Sequence, residues 1–196
     1  MVVAITNIEF LNNPARFSDQ YSIKVTFSCG AYLPDDLEWK LIYVASPDNE
    51  TLDQELDSIV VGPVPAEPCQ FTFDASPPDP SIIPKEDVLG VAALIITGSY
   101  KDREFVRVGY YQNTEYDNEE MRETPPDDIM FDRLVREISS KPRVTRFQIA
   151  WDIGPTASSD TAMGAANSAP VPSADDLGED EEEASMKVDT DTKTAA

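Results

Sequence analysis

Apolar and polar residues alternate through much of the N-terminal three-quarters of the chain. Ile23, Val25 and Phe27 alternate with Lys24, Thr26 and Ser28, the period-two pattern of a strand with one buried face. Similar runs predict strands at Leu37–Val44, Ser58–Val61, Gln70–Phe73, Leu89–Thr97, Glu104–Tyr111 and Thr145–Trp151. Gly, Pro and Asp clusters such as Pro77-Pro78-Asp79-Pro80 punctuate them, as turns require. Many short strands without the crossover helices of a parallel sheet predict an all-β antiparallel sandwich. Helix signals are few. Phe131, Leu134, Val135 and Ile138 stand at i, i+3, i+4 and i+7, which predicts an amphipathic helix. Asp127 or Asp128 is placed to cap it, and Pro142 lies beyond its end. A further helical turn is expected near Leu52–Leu56, and no internal repeat is visible.

Three strands carry more than a fold signal. The run Val91-Ala92-Ala93-Leu94-Ile95-Ile96 is apolar on both faces. A sheet of a two-layer sandwich normally keeps one polar face, so such a strand is either covered twice or presents a face to a partner. In Glu104–Tyr111, alternation puts Phe105, Arg107, Gly109 and Tyr111 on one face and Val106, Val108 and Tyr110 on the other. Arginine and tyrosine together on an exposed face are a common interface pair. In Asp57-Ser58-Ile59-Val60-Val61-Gly62-Pro63, Ile59 and Val61 share a face. This is the pattern of an ordinary sandwich strand, or of an edge strand able to accept a peptide by β-augmentation.

Composition narrows the chemistry. The 196 residues include 37 acidic and 15 basic side chains, a formal charge of −22, and no histidine. Serine or cysteine catalysis that depends on histidine is excluded, as is any histidine-ligated metal. Excess negative charge repels phosphate backbones and favours basic partners. Residues 1–153 hold 27 acidic and 13 basic residues; 154–196 hold 10 and 2, with no aromatic residue and an acidic block at 179–183. The second segment has too little apolar surface to offset its ordering entropy, which predicts a disordered acidic tail after a domain at 1–153. Cys29 and Cys69 flank Trp39, the order found in antibody domains. Two buried thiols account for them better than a disulfide does, because the N-terminus lacks the basic and apolar segments of a secretory leader. No stretch approaches the ~18–20 apolar residues of a membrane helix, so a soluble intracellular protein is expected. The carboxylate pairs Asp35-Asp36, Glu119-Glu120 and Asp127-Asp128 are adjacent in sequence, which does not set two acids across a cleft as glycoside hydrolysis needs. Calcium-loop and phosphate-loop motifs are absent.

Several blocks resemble one family. Asp36-Leu37-Glu38-Trp39-Lys40, Leu56-Asp57-Ser58-Ile59-Val60-Val61-Gly62-Pro63-Val64-Pro65 and Glu104-Phe105-Val106-Arg107-Val108-Gly109-Tyr110-Tyr111 are similar to the anti-silencing function (Asf) histone chaperones. So are Asn12-Asn13-Pro14 and Pro142-Arg143-Val144-Thr145-Arg146-Phe147. The resemblance spans roughly residues 1–153, in order, and reaches the tail only in its acidity.

The resemblance implies an immunoglobulin-like sandwich that binds a histone H3–H4 dimer, needs no cofactor or metal, and is not an enzyme. A helix of H3 would cover Val44, Val91, Ala93, Ile95, Arg107 and Tyr111, with Asp53 and Asp87 as acidic contacts. The C-terminal strand of H4 would add at Arg143, Val144 and Thr145. Hir-type and chromatin-assembly-factor chaperones would dock elsewhere, on Asp35, Asp36, Leu37, Lys40, Asp57, Ile59 and Val61. Ala93 replaces a family valine, which removes about 1–1.5 kcal/mol of burial at about 0.8 kcal/mol per methyl-sized group and is expected to alter affinity without abolishing binding. Asp35 replaces a glutamate. The family further implies a nuclear protein with a cytoplasmic pool, a part in nucleosome assembly and transcription regulation, and a kinase acting on the tail. The alternative class is an acidic adaptor for short basic peptides, using only the Asp35–Lys40 and Asp57–Val61 surface.

Overall fold

The computed structural model describes residues 2–153; the expectations for 154–196 lie outside the described residues. The described residues form ten strands: β1 (Val3–Phe10), β2 (Ala15–Arg16), β3 (Tyr21–Cys29), β4 (Leu37–Val44), β5 (Gln54–Val61), β6 (Pro68–Ala75), β7 (Gly90–Tyr100), β8 (Arg103–Tyr116), β9 (Leu134–Ile138) and β10 (Arg143–Arg146). The helices are short: α1 (Lys85–Val88), α2 (Glu119–Glu123) and single 3-10 turns at Glu50–Leu52 and Phe131–Arg133. One sheet runs β1-β3-β6; the other runs β2-β9-β8-β7-β4-β5, with β10 added beside β8. All ladders are antiparallel. This is the all-β, immunoglobulin-like sandwich that the sequence predicts.

Alternation explains the core. Tyr21, Ile23, Val25 and Phe27 of β3 and Leu37, Trp39, Leu41 and Tyr43 of β4 are all fully buried. Trp39 sits between the sheets, with its ring 5.7 Å from Phe27, 5.5 Å from Phe71 and 5.8 Å from Phe105. No disulfide accompanies it: both cysteines are free thiols. Cys69 lies opposite Phe27 on the strand next to β3, so the two cysteines belong to one sheet and do not bridge the sandwich as antibody cysteines do.

Four local expectations fail, each for a visible reason. Residues 134–138 form β9, not part of a helix. Leu134, Arg136 and Ile138 alternate inward, and the buried arginine in the middle disguises the strand period. Its guanidinium donates to the carbonyls of Arg16, Phe17, Asp19 and Gln20 at 3.0, 3.2, 2.6 and 2.8 Å and lies 3.7 Å above the Tyr21 ring. Asp128 caps nothing and instead pairs with Lys85 at 3.5 Å. The helical turn expected at 52–56 closes at Glu50–Leu52, and β5 begins at Gln54. The last strand is Arg143–Arg146, with residues 147–151 outside it. Strand β1 was not anticipated: its register shifts between Ile5 and Asn7, and such a bulge breaks alternation.

A second bulge reshapes β8. The register between β7 and β8 shifts at Gly98/Ser99, so Val106 faces Gly98 while Glu104 faces Ser99. Phe105 therefore turns into the core against Trp39 and does not share the face of Arg107, contrary to simple alternation. A Cβ on Gly98 would lie 2.8 Å from the Phe105 ring, so only glycine fits. The β7–β8 hairpin closes on Lys101 and Asp102, both left-handed at φ 49° and 60°, the geometry a two-residue turn between twisted strands favours.

Candidate protein-docking sheet

The outer face of the seven-stranded sheet collects the outward halves of β4, β7 and β8. Ala92, Leu94 and Ile96 point into the core, which leaves Val91, Ala93 and Ile95 outward. Cross-strand register then sets rows. Val44, Ala93 and Tyr111 form one; Ile42, Ile95 and Gly109 the next; Lys40, Thr97 and Arg107 a third. Val91 is 66% exposed and Tyr111 51%, so large apolar groups here stand in water. Ala93 makes a notch between Val44 and Tyr111, and Gly109 a trough where an added Cβ would touch nothing closer than 4.0 Å. Ile42 belongs to this face but was hidden in the sequence by the apolar run Leu41-Ile42-Tyr43-Val44.

Arg107 ends the rows, and the two acids expected beside them stand on neighbouring elements. Arg107 donates to Glu104 through two nitrogens, at 2.8 and 3.0 Å; that carboxylate raises its pKa. Asp53 caps the 3-10 turn that leads into β5. Partial burial, with Glu50 nearby, raises its carboxyl pKa. Asp87 sits half-buried in α1, three residues before β7 starts. Burial holds the Tyr43 phenol well above its ordinary pKa, and the charges of Tyr21 and Asp87 add to this.

Two free edges flank this face. At one, β10 pairs only with β8, placing Arg143 opposite Gly109 and Thr145 opposite Arg107. Its four residues are exposed, and Val144 is 42% exposed. Behind it a groove of about 360 Å³ opens between the sheets, lined by Ile5, Ile8, Phe10, Val108, Tyr110 and Val144 among others. At the other edge, β5 pairs only with β4. Ile59 and Val61 lie opposite Trp39 and Leu37 and pack inward, half-buried. Leu37 is wholly buried, so its side chain supports that edge without being able to touch a partner. The outward residue is Val60, 64% exposed, which sequence reading passed over because its neighbours are equally apolar.

The acids expected at the β5 edge lie in separate surroundings. Asp35 pairs with Lys101 at 2.9 Å and accepts from the Tyr100 hydroxyl at 3.3 Å. Asp36 lies so close to Gly62 that a Cβ there would stand 2.2 Å from its Oδ1. Asp57 is exposed and accepts from the Ser58 amide at 2.7 Å. Lys40 is tied to Glu55 and Glu38 at 3.2 and 3.5 Å. It stands in the row of Thr97 and Arg107, one strand in from the edge. Among the described residues no three His, Cys, Asp or Glu side chains gather as a metal-holding set. Among the described residues no helix is long and apolar enough to cross a membrane.

An immunoglobulin-like sandwich with one apolar outer face and two unpaired edges on the same sheet is a protein-docking module. The family model described as ASF1 like histone chaperone matches residues 1–152, and the chain belongs to that family of histone chaperones. Relatives named "Histone chaperone ASF1" include one from Candida albicans, 54% identical over 152 residues, covering 77% of this chain and 62% of the relative. One from Mycosarcoma maydis is 51% identical over 161 residues, covering 82% and 92%. A Drosophila melanogaster relative, "Histone chaperone asf1", is 52% identical over 153 residues, covering 78% and 70%. The matches to several yeast relatives span about half of each relative's length, as with the 54% coverage of the Saccharomyces cerevisiae protein.

Proposed function

We propose that residues 1–153 are a domain that binds one histone H3–H4 dimer, covers the H3 surface through which two dimers join, and passes the dimer to deposition chaperones. The observation that carries this reading is the outward apolar face, with Val91 66% and Tyr111 51% exposed on a chain of net charge −22. Basic histones are drawn by charge, and an amphipathic H3 helix lays its apolar side over Val44, Val91, Ala93, Ile95 and Tyr111. Asp53, Asp87 and Arg107 frame that helix. The H4 C-terminal strand adds to β10 at Arg143, Val144 and Thr145. Basic hairpins of Hir-type and chromatin-assembly-factor chaperones dock at the β5 edge on Asp35, Asp36 and Asp57, over Ile59 and Val61, with Lys40 beside them and the exposed Val60 as an added contact. Leu37 serves there as a support. The reaction is docking and release, without catalysis, cofactor or direct nucleic-acid contact. The site of action is the nucleus, with a cytoplasmic pool. Residues 154–196 act as a secondary acidic arm and kinase target.

The test is size-exclusion chromatography with light scattering on the full chain and recombinant H3–H4 at moderate salt. A complex of one chain per H3–H4 dimer is expected, and Arg107→Glu abolishes it. A complex that survives Arg107→Glu means that charge alone holds the histones. No complex with either protein moves the basic-peptide adaptor, confined to the β5 edge, to first place.

A further inference from the structure

The cations of this acidic domain are unevenly neutralised. Among the described residues, Arg16, Lys40, Lys85, Lys101, Arg107, Arg122 and Arg133 sit in ion pairs. Arg136 is buried on backbone carbonyls. Arg103 shares the field of Asp152 with Lys101. Lys24 lies on β3, in the other sheet. The remaining three, Lys141, Arg143 and Arg146, occupy the β10 edge and its approach, and none makes an ion pair within the described residues. Unpaired positive charge is thus concentrated where the sheet is open to another strand.

We infer that the Lys141–Arg143 end of this edge captures the terminal carboxylate of the strand that adds to β10. The inference rests on the reading above, in which that strand is the C-terminus of histone H4. A strand that ends its chain carries an α-carboxylate, ionised at neutral pH. Against most of this surface that charge meets acids. Beside β10 it meets a guanidinium able to bind both oxygens and, one residue beyond Pro142, an ammonium. Direction selects the end. Every ladder of the sheet is antiparallel, and antiparallel pairing is the slightly more stable arrangement per residue. A strand added that way runs from Arg146 towards Arg143 and delivers its last residue to Arg143 and Lys141. Arg146 lines the groove behind β10 with Val144, at the end where the added strand enters.

The experiment is fluorescence anisotropy with the full chain and a labelled peptide of about ten residues from the C-terminus of histone H4, made as free acid and as C-terminal amide. The acid binds about two- to fivefold tighter at low salt, the range of an exposed charge pair. The margin shrinks as salt rises. The Lys141→Gln/Arg143→Gln double variant brings the affinity for the acid down to that of the amide, and Arg146→Gln keeps the margin. Equal binding of acid and amide by the unaltered protein overturns the inference and leaves the H4 strand on β10. A margin that vanishes in Arg146→Gln instead overturns the assigned end. Binding of neither peptide overturns the H4 reading itself.

Discussion

The seven-stranded sheet treats its edges in opposite ways. At β2 it is shut. That strand is two residues long, and its pairing with β9 is finished by side chains in place of backbone. Arg136 gathers four carbonyls of residues 16–20. Asn13 imitates a strand, donating to the Ile138 carbonyl at 2.8 Å and accepting from its amide at 2.9 Å. Asp117 binds Arg16 and Arg133 at 2.6 and 2.7 Å. Among the described residues, the Asp57 carboxylate on the Ser58 amide is the one side chain that caps a backbone group of β5, and none caps β10. An exposed edge invites unwanted pairing, and proteins ordinarily blunt it. Polar side chains close the edge that has no assigned partner; the two that the proposed function uses stay open.

The contrast can be broken most severely at Arg136. Arg136→Ala leaves four carbonyls short of a donor and a cavity over Tyr21, and unfolding in urea is expected to show a loss of about 3–5 kcal/mol, the range for removing one partner from a buried charged network. Asn13→Ala removes two hydrogen bonds from the same edge and is expected to cost about 1–3 kcal/mol. Val60→Ala on the open β5 edge stays within about 0.5 kcal/mol, because its side chain is already in water. A comparable loss from Val60→Ala and Asn13→Ala would erase the distinction between shut and open edges. The smallest effect is in acid. Hydrogen bonds from Arg133 and Arg16 hold the Asp117 carboxyl at about 2, below the value near 4 of an unfolded chain. Its contribution is complete above pH ~4 and is lost as pH falls towards ~2. Asp117→Asn should flatten that part of the stability–pH curve, measured by thermal melts: the variant is less stable than the unaltered protein above pH ~4, and the two curves converge towards pH ~2.

Legibility in the sequence followed the regularity of the strands. β3 and the first half of β7 alternate regularly, so their inward and outward faces could be assigned from the sequence, including Val91, Ala93 and Ile95; β4 alternates too, but its apolar run at 41–44 hides which side is outward. β1 and the start of β8 carry bulges, which move Phe105 to the face opposite the one that alternation predicts. β9 carries a buried arginine at a core position, and no propensity rule reads a guanidinium as core. Among the expected contact residues the difficulty was different. Ile59 and Val61 share one apolar stretch with Val60, and only pairing with β4 shows which of them face water. Lys40 is grouped with Asp57 by the family resemblance alone; the register pairs it with Ser58 and Thr97, in the row of the outward face. The families of chaperone blocks were legible throughout, because they consist of contiguous residues and do not depend on register.

The strand order β5-β4-β7-β8-β10 fixes a length as well as a topology. Neighbouring strands lie about 4.8 Å apart, so strands added at the two open edges run some 29 Å from one another across the sheet, about six spacings. Two visitors can therefore be seated together without touching, like ships berthed on either side of one pier. A single peptide meant to moor at both would need a tether of at least about nine extended residues, and anything shorter must choose a side.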